Sequence, residues 1–589
     1  MNETIFQVPR ATGTHADVLL AVGLADLLQQ ATDEPVQLRA RGTLYEVVAR
    51  LPEDWSQRLP TDAGYQYLRP KASAAVPAVV PADRVLDYET ERDRVRRWRE
   101  LQQSAKGKEN DPALREQLDL LKPRDDWRHW QVLNTLQGDD NTNKVLVALA
   151  EMSPEQARAL IARALEALHA GRPSGFTWKV SSVQLFAPNA AKGYARLKPD
   201  STDRNDKTKE AWVDPFAEWL RYRGYFLATC PFFTGSKSEG IRILTPQPAD
   251  IAVRSLRTVV GELRRAAVYG AEPKLDALAV LALARTLIRH SELYAQVGAA
   301  DEQVEELFAL FGRTPASIIS GVAITHYVSL GQARAVAQVG ELALPDWFPM
   351  RTPEDARAWL AILEEHRRVL ASLRDDRSDE IGLLVDYRRF LQRRGRAALD
   401  ALVEFMGAYG AFVLRAREMR RRVAQFTTEH FRALVRGMMG EYLKILDDPG
   451  FQAVAAAVRN ATVSAQALKA QGRTDYREIR YDLLPEIRRR RSLPDGHAFM
   501  ETIAEFIASY NYENARRREM KVWAPRNVTT EELRAFAALV EEHSAPLVGA
   551  LLAAYGSCRE PREPEPSGTA TEPAAGESDT DAADGTEGE

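Results

Sequence analysis

The spacing of apolar residues changes about halfway along the chain. After Thr14, His15, Ala16 and Asp17, residues 18–30 repeat apolar side chains at helical spacing. Residues 36–41 and 43–50 are two strand-like runs that pivot on Gly42, which predicts a hairpin. A charged helix is expected over 84–106. Another begins at Ser153, where Ser153 can cap, Pro154 suits the first turn and Gln156 can reach back to the cap. Between 173 and 250 the pattern predicts short strands at 176–180, 183–186 and 241–244 around a helix at 215–223. From about 254 onward it reads as nearly all helix. One helix starts at Thr352-Pro353-Glu354-Asp355, and long amphipathic stretches follow over 376–446, 451–471, 497–517 and 529–555.

The expected fold is therefore α+β. A mixed α/β domain covers 1–265 and a helical middle region covers 266–375. A helix bundle covers 376–556, because antiparallel packing buries such stripes most readily. Residues 557–589 form an acidic tail. From 559 onward the tail carries ten acids against two bases and no aromatic side chain, too little apolar surface to offset ordering, so it is expected to be disordered. It also changes the meaning of the net charge. The chain totals −4, so residues 1–558 carry +4. With two cysteines, Cys230 and Cys558, and no basic-then-apolar leader or long apolar run, a reducing cytoplasmic setting without a membrane is expected.

No phosphate-binding loop, zinc-protease motif or nucleophile elbow occurs, so the expectation is a protein without catalysis, metal or cofactor. The nine histidines are scattered singly and read as core-edge or surface residues. Asp139-Asp140 could hold a hard cation, but the turn chemistry of Asp explains it better.

Three stretches carry polyanion chemistry. Residues 138–144 read as a polar turn before a helix starting near Val145. There Asn141 and Asn143 offer amides for base edges, and Lys144 offers charge. Residues 188–209 read as a long loop carrying Asn189, Lys192, Arg196 and Lys198, with Gly193 for close backbone approach and Tyr194 as a stacking face. The third stretch lies in the helical half, where residues 381–436 hold twelve arginines against five acids, an excess of seven. Arg388, Arg389, Arg393, Arg394, Arg420, Arg421 and Arg422, with Arg516 and Arg517 further on, are expected to hold a nucleic-acid backbone. A solvated helix face normally mixes both signs.

In several blocks the chain resembles the large subunit of type I CRISPR Cascade complexes, most like subtype I-B or related variants. The blocks are residues 186–193, 212–225, 237–246, 324–333 with 344–347, 481–488 and 506–515. The resemblance implies an N-terminal α/β domain near the guide's 5′ end that senses the protospacer-adjacent motif. It also implies a C-terminal bundle, like the separate small subunit, that stabilises the R-loop. Implied partners are crRNA, target double-stranded DNA, the RAMP-fold backbone and guide 5′-end subunits, the small subunit, and a recruited helicase-nuclease or transposition factors. Met406, Met419 and Met438 sit where an internal start could yield a small subunit. The competing expectations are a helical nucleic-acid-processing hydrolase with an unrecognised site and an arginine-rich scaffold for acidic proteins.

Overall fold

The computed structural model describes residues 2–105, 111–136, 138–176, 185–186, 188, 214–234, 240–266, 268–297, 314–330, 333–492 and 496–560. It divides into two compact units. The first takes residues 1–268 and 282–344, the second 269–281 and 345–589.

The first unit begins with β1 (Asn2–Pro9), α1 (His15–Gln29), β2 (Gln37–Arg41) and β3 (Leu44–Leu51). The predicted hairpin forms, with Arg41 opposite Leu44 and Gly42 at φ 57°, a conformation glycine adopts freely. Next come β4 (Tyr67–Arg69), β5 (Val85–Asp87), α2 (Tyr88–Ser104), α3 (Pro112–Leu121), α4 (Trp127–Thr135), α5 (Asp139–Ala150), α6 (Pro154–His169) and α7 (Pro215–Ala228). The unit closes with β6 (Cys230–Thr234), β7 (Gly240–Pro248), β8 (Asp250–Ala252), α8 (Val253–Arg265), α9 (Glu272–Val297, of which residues from 282 on belong here), β9 (Ile319–Leu330) and β10 (Ala333–Ala343). Two antiparallel sheets result, in the orders β1-β3-β2-β8 and β10-β9-β7-β6. Every residue of β7 is buried, as suits a central strand.

Helices α1 and α7 cross at a glycine pair. A methyl group on Gly23 would lie 1.8 Å from the Leu220 carbonyl oxygen, and one on Gly224 would lie 2.0 Å from that of Leu19. Only hydrogen at both positions allows this approach. Around the crossing, His15 is buried. Its Nε2 donates to the Leu185 carbonyl (2.7 Å), so Nδ1 accepts from the Thr325 hydroxyl (2.5 Å). Burial lowers its pKa to about 4. His129 is buried as well and lowered to about 3 by the same cause. Asp26 holds two guanidinium groups, the buried Arg223 (3.1 and 2.5 Å) and Arg257 (2.6 Å).

The all-helical reading of the middle region fails at β9 and β10. These strands pair with each other and, through β9, with β7, with Ile324 opposite Leu244 and Thr325 opposite Ile243. Residues 319–343 thus complete a sheet begun at Cys230. Val322, Ile324 and Val328 are β-branched, the local signal for a strand.

The second unit is helical. It holds α10 (Pro353–Ser372), α11 (Ser378–Leu391), α12 (Gly395–Glu418), α13 (Thr428–Met439), α14 (Leu443–Asp447), α15 (Pro449–Arg459), α16 (Ala465–Ala470), α17 (Leu483–Arg490), α18 (Gly496–Glu519), α19 (Thr530–His543) and α20 (Ala545–Ser557). Among the described residues α12 is the one helix long and apolar enough to cross a membrane, and 78% of its apolar window is buried inside the fold. It is the bundle's central helix, lined by Leu402, Phe405, Met406 and Tyr409. Cys230 and Cys558 are buried free thiols. The acidic tail starts later than expected. Cys558 is packed and the Arg559 N–H donates to the Phe426 carbonyl (2.9 Å), while residues 561–589 lie outside the described ones.

Candidate nucleic-acid interface

Residues 138–144 are not a turn. Helix α5 already begins at Asp139, and the two amides point into the protein. Asn141 is buried and hydrogen-bonded to the buried Glu218. Asn143 completes the edge of β4: its Nδ2 donates to the Leu68 carbonyl (2.8 Å) and its Oδ1 accepts the Leu68 N–H (3.0 Å). Both amides are used up internally, which corrects their assignment to base reading. A buried polar group keeps such partners because losing them is costly. Lys144 remains at the surface. Desolvation raises Glu218 to about 7, partly countered by Arg221. Among the described residues no cluster of acids, histidines or cysteines could hold a metal ion. Asn189, Lys192, Gly193, Tyr194, Arg196 and Lys198 all lie outside the described residues.

The arginines of the second unit separate into two populations. Arg388 reaches the fully buried Asp276 (3.1 Å). Arg421 donates to both oxygens of the buried Glu380 (2.6 and 3.0 Å) and to the Ser372 carbonyl (3.2 Å), and it lies over the Phe412 ring. Arg517 is buried and donates to the Trp523 carbonyl from Nε and Nη2 (3.1 and 3.0 Å) and to the Asp475 carbonyl (2.5 Å). These three were expected at a nucleic-acid backbone. Instead they join distant parts of the unit, because a buried guanidinium satisfies several acceptors at once. Arg389 is exposed and pairs with Asp386 one turn away (2.8 Å). Arg393, Arg394, Arg420, Arg422 and Arg516 are exposed, and among the described residues none has a side-chain partner.

Sequence reasoning missed the aromatic side chains near this charge. Trp523 is 68% exposed and Tyr512 is 66% exposed. The available signal was a tryptophan between Lys521 and Arg526. No family model matches this chain, and no curated protein matches it.

Proposed function

We propose that the protein is a nucleic-acid-binding subunit without catalysis of its own, acting as the large subunit of a type I CRISPR Cascade complex on crRNA-guided target DNA. The observation carrying the reading is the outward, unpartnered set Arg393, Arg394, Arg420, Arg422 and Arg516. Exposed like charges repel one another unless a polyanion neutralises them. Base pairing with the guide then supplies most sequence specificity, and the protein contributes charge and shape. Motif sensing falls to Asn189, Lys192 and Tyr194, since Asn141 and Asn143 are committed elsewhere.

Titration of the full chain with duplex and single-stranded DNA at graded salt tests this reading. Five neutralised phosphates predict a log–log slope of about −3.5 to −4.5. Reversing all five arginines to Glu is expected to flatten that slope and abolish tight binding. An unchanged slope rejects the assignment. Cleavage of DNA or RNA by the isolated chain with magnesium or manganese would reject the non-catalytic part. With crRNA and the backbone subunits present, Asn189→Ala and Lys192→Ala are expected to weaken target-duplex binding while guide assembly stays intact.

A further inference from the structure

Two helices of the second unit end in the same way. α12 closes with Arg417-Glu418-Met419-Arg420 and α18 with Arg518-Glu519-Met520-Lys521. The basic residue at each end adopts left-handed backbone, φ 58° at Arg420 and 59° at Lys521. The Arg420 N–H donates to Arg417 O (2.9 Å) and the Arg421 N–H to Ala416 O (2.9 Å). The Lys521 N–H donates to Arg518 O (3.0 Å) and the Val522 N–H to Arg517 O (2.9 Å). This helix closure ordinarily seats glycine, because a side chain is strained there. Among the described residues, glycine takes the same closure at Gly171 after α6 and at Gly472 after α16. Among the described residues only Ser544 joins Arg420 and Lys521 as a non-glycine residue with positive φ. Both basic side chains are exposed and unpartnered, so packing does not explain their choice over glycine.

Residues 477–481 bridge the two helices, reaching the last turn of α12 and a point six residues before the end of α18. Glu418 accepts from Lys469 Nζ (2.7 Å) and from the Tyr481 hydroxyl. Arg477 donates to Glu513 (2.6 Å) and Asn514 (3.2 Å) on α18. Tyr481 and Arg477 are four residues apart, so at most ~14 Å of chain separates the two attachments.

Beyond Lys521 the loop is strapped to α18. Asn511 Nδ2 donates to Val528 O (2.8 Å), and Asn511 Oδ1 accepts the Val528 N–H (3.0 Å). Arg517 holds the Trp523 carbonyl, and Arg518 Nη2 holds that of Pro525 (2.7 Å). The backbone is fixed while the indole stays open to water. Of the five bases in residues 510–528, Arg517 is buried and Arg526 pairs with Glu532 (2.8 Å), which leaves Arg516, Arg518 and Lys521 exposed; of the two acids, Glu513 is occupied by Arg477. An exposed aromatic face on a fixed loop, with exposed basic side chains on the adjoining helix end, suits unpaired bases, whose faces are apolar and whose backbone is anionic.

We propose that the fixed loop after α18 is a platform for single-stranded nucleic acid. Trp523 stacks on a base, while Arg516 and Lys521 hold phosphates. The proposal rests on the nucleic-acid reading above and narrows it to an unpaired strand.

The test uses the full chain with labelled single-stranded DNA, the same sequence as RNA, an abasic DNA strand, and duplex DNA. Trp523→Ala is expected to lower single-strand affinity by about 5- to 150-fold without altering the salt slope, and to leave binding of the abasic strand unchanged. Trp523→Phe is expected to retain most of the affinity. Lys521→Gly is expected to flatten the single-strand slope by about 0.7 while the melting temperature holds or rises. The DNA and RNA arms identify the strand held more tightly. Wild-type affinity of Trp523→Ala for single strands overturns the platform and leaves the broader reading standing. So does an equal loss on the abasic strand or on duplex. A wild-type chain that holds no nucleic acid at low salt overturns both.

Discussion

Arginine plays one role in the core of the first unit and two in the second. In the first unit, Arg223 is buried and locked onto Asp26, an aspartate shared with Arg257. In the second, adjacent residues diverge. Arg421 is 17% exposed and closes on Glu380, while its neighbours Arg420 and Arg422 face water without a partner. A paired buried charge holds a fold together mainly because separating it strands the other member. An unpaired exposed charge contributes little to stability and remains available to a ligand. Arginine excess alone therefore does not locate an interface; only the exposed, unpaired fraction is free to form one.

Asp26→Ala should give the largest effect. It leaves the Arg223 guanidinium buried without its carboxylate, and a loss of about 3–5 kcal/mol is expected in chemical denaturation. A loss below about 1 kcal/mol would break the contrast at its strongest point.

The pH dependence of the first unit sharpens it further. The folded values of His15 and His129 lie near 4 and 3, below the unfolded value of about 6.5, so the unfolded chain takes up protons first as pH falls. Stability from these groups is present above pH 6.5 and is lost toward pH 4. Glu218 acts in the opposite sense. Its folded value of about 7 exceeds the unfolded one, so its contribution is lost as pH rises from about 4.5 to 7. Glu218→Gln should therefore steepen the rise of stability with pH in that window by about 1.4 kcal/mol per pH unit. An unchanged slope would mean that Glu218 is already ionised in the fold.

Within one tripeptide, Arg421→Ala is expected to lower stability by about 2–3 kcal/mol, since it leaves Glu380 buried and unpaired. Asn143→Ala should cost about 1–2 kcal/mol through the two lost bonds to Leu68, with no change in nucleic-acid affinity. A drop in affinity with stability intact would restore the amide as a base reader. Arg422→Ala should shift stability by less than about 0.5 kcal/mol. Equal losses at 421 and 422 in thermal melts would erase the distinction between the two populations.

Much of the local structure was legible beforehand. The Ser153 hydroxyl accepts the Gln156 N–H (3.3 Å) while Gln156 Oε1 accepts the Ser153 N–H (3.0 Å), the reciprocal cap its spacing predicts. Thr352 and Asp355 repeat that arrangement at α10 (3.2 and 3.0 Å). The strands β9 and β10 were missed because their partner β7 lies far away in the chain, and apolar runs of this length fit helix or strand equally well. At the candidate site, the positive charge was legible, but its division into structural and free arginines was not. Trp523 was overlooked because an isolated tryptophan in sequence is usually a core residue.

Caps, the Gly42 hairpin, the order of most helices and the local excess of arginine follow from residues a few positions apart, so the sequence by itself determined them. Which arginines face solvent was decided only by the tertiary structure. Arg421 meets Glu380 across 41 positions and Arg517 meets the Asp475 carbonyl across 42. A side chain's partner is set by where distant backbone arrives once the core has packed, and that placement leaves no periodic trace along the chain.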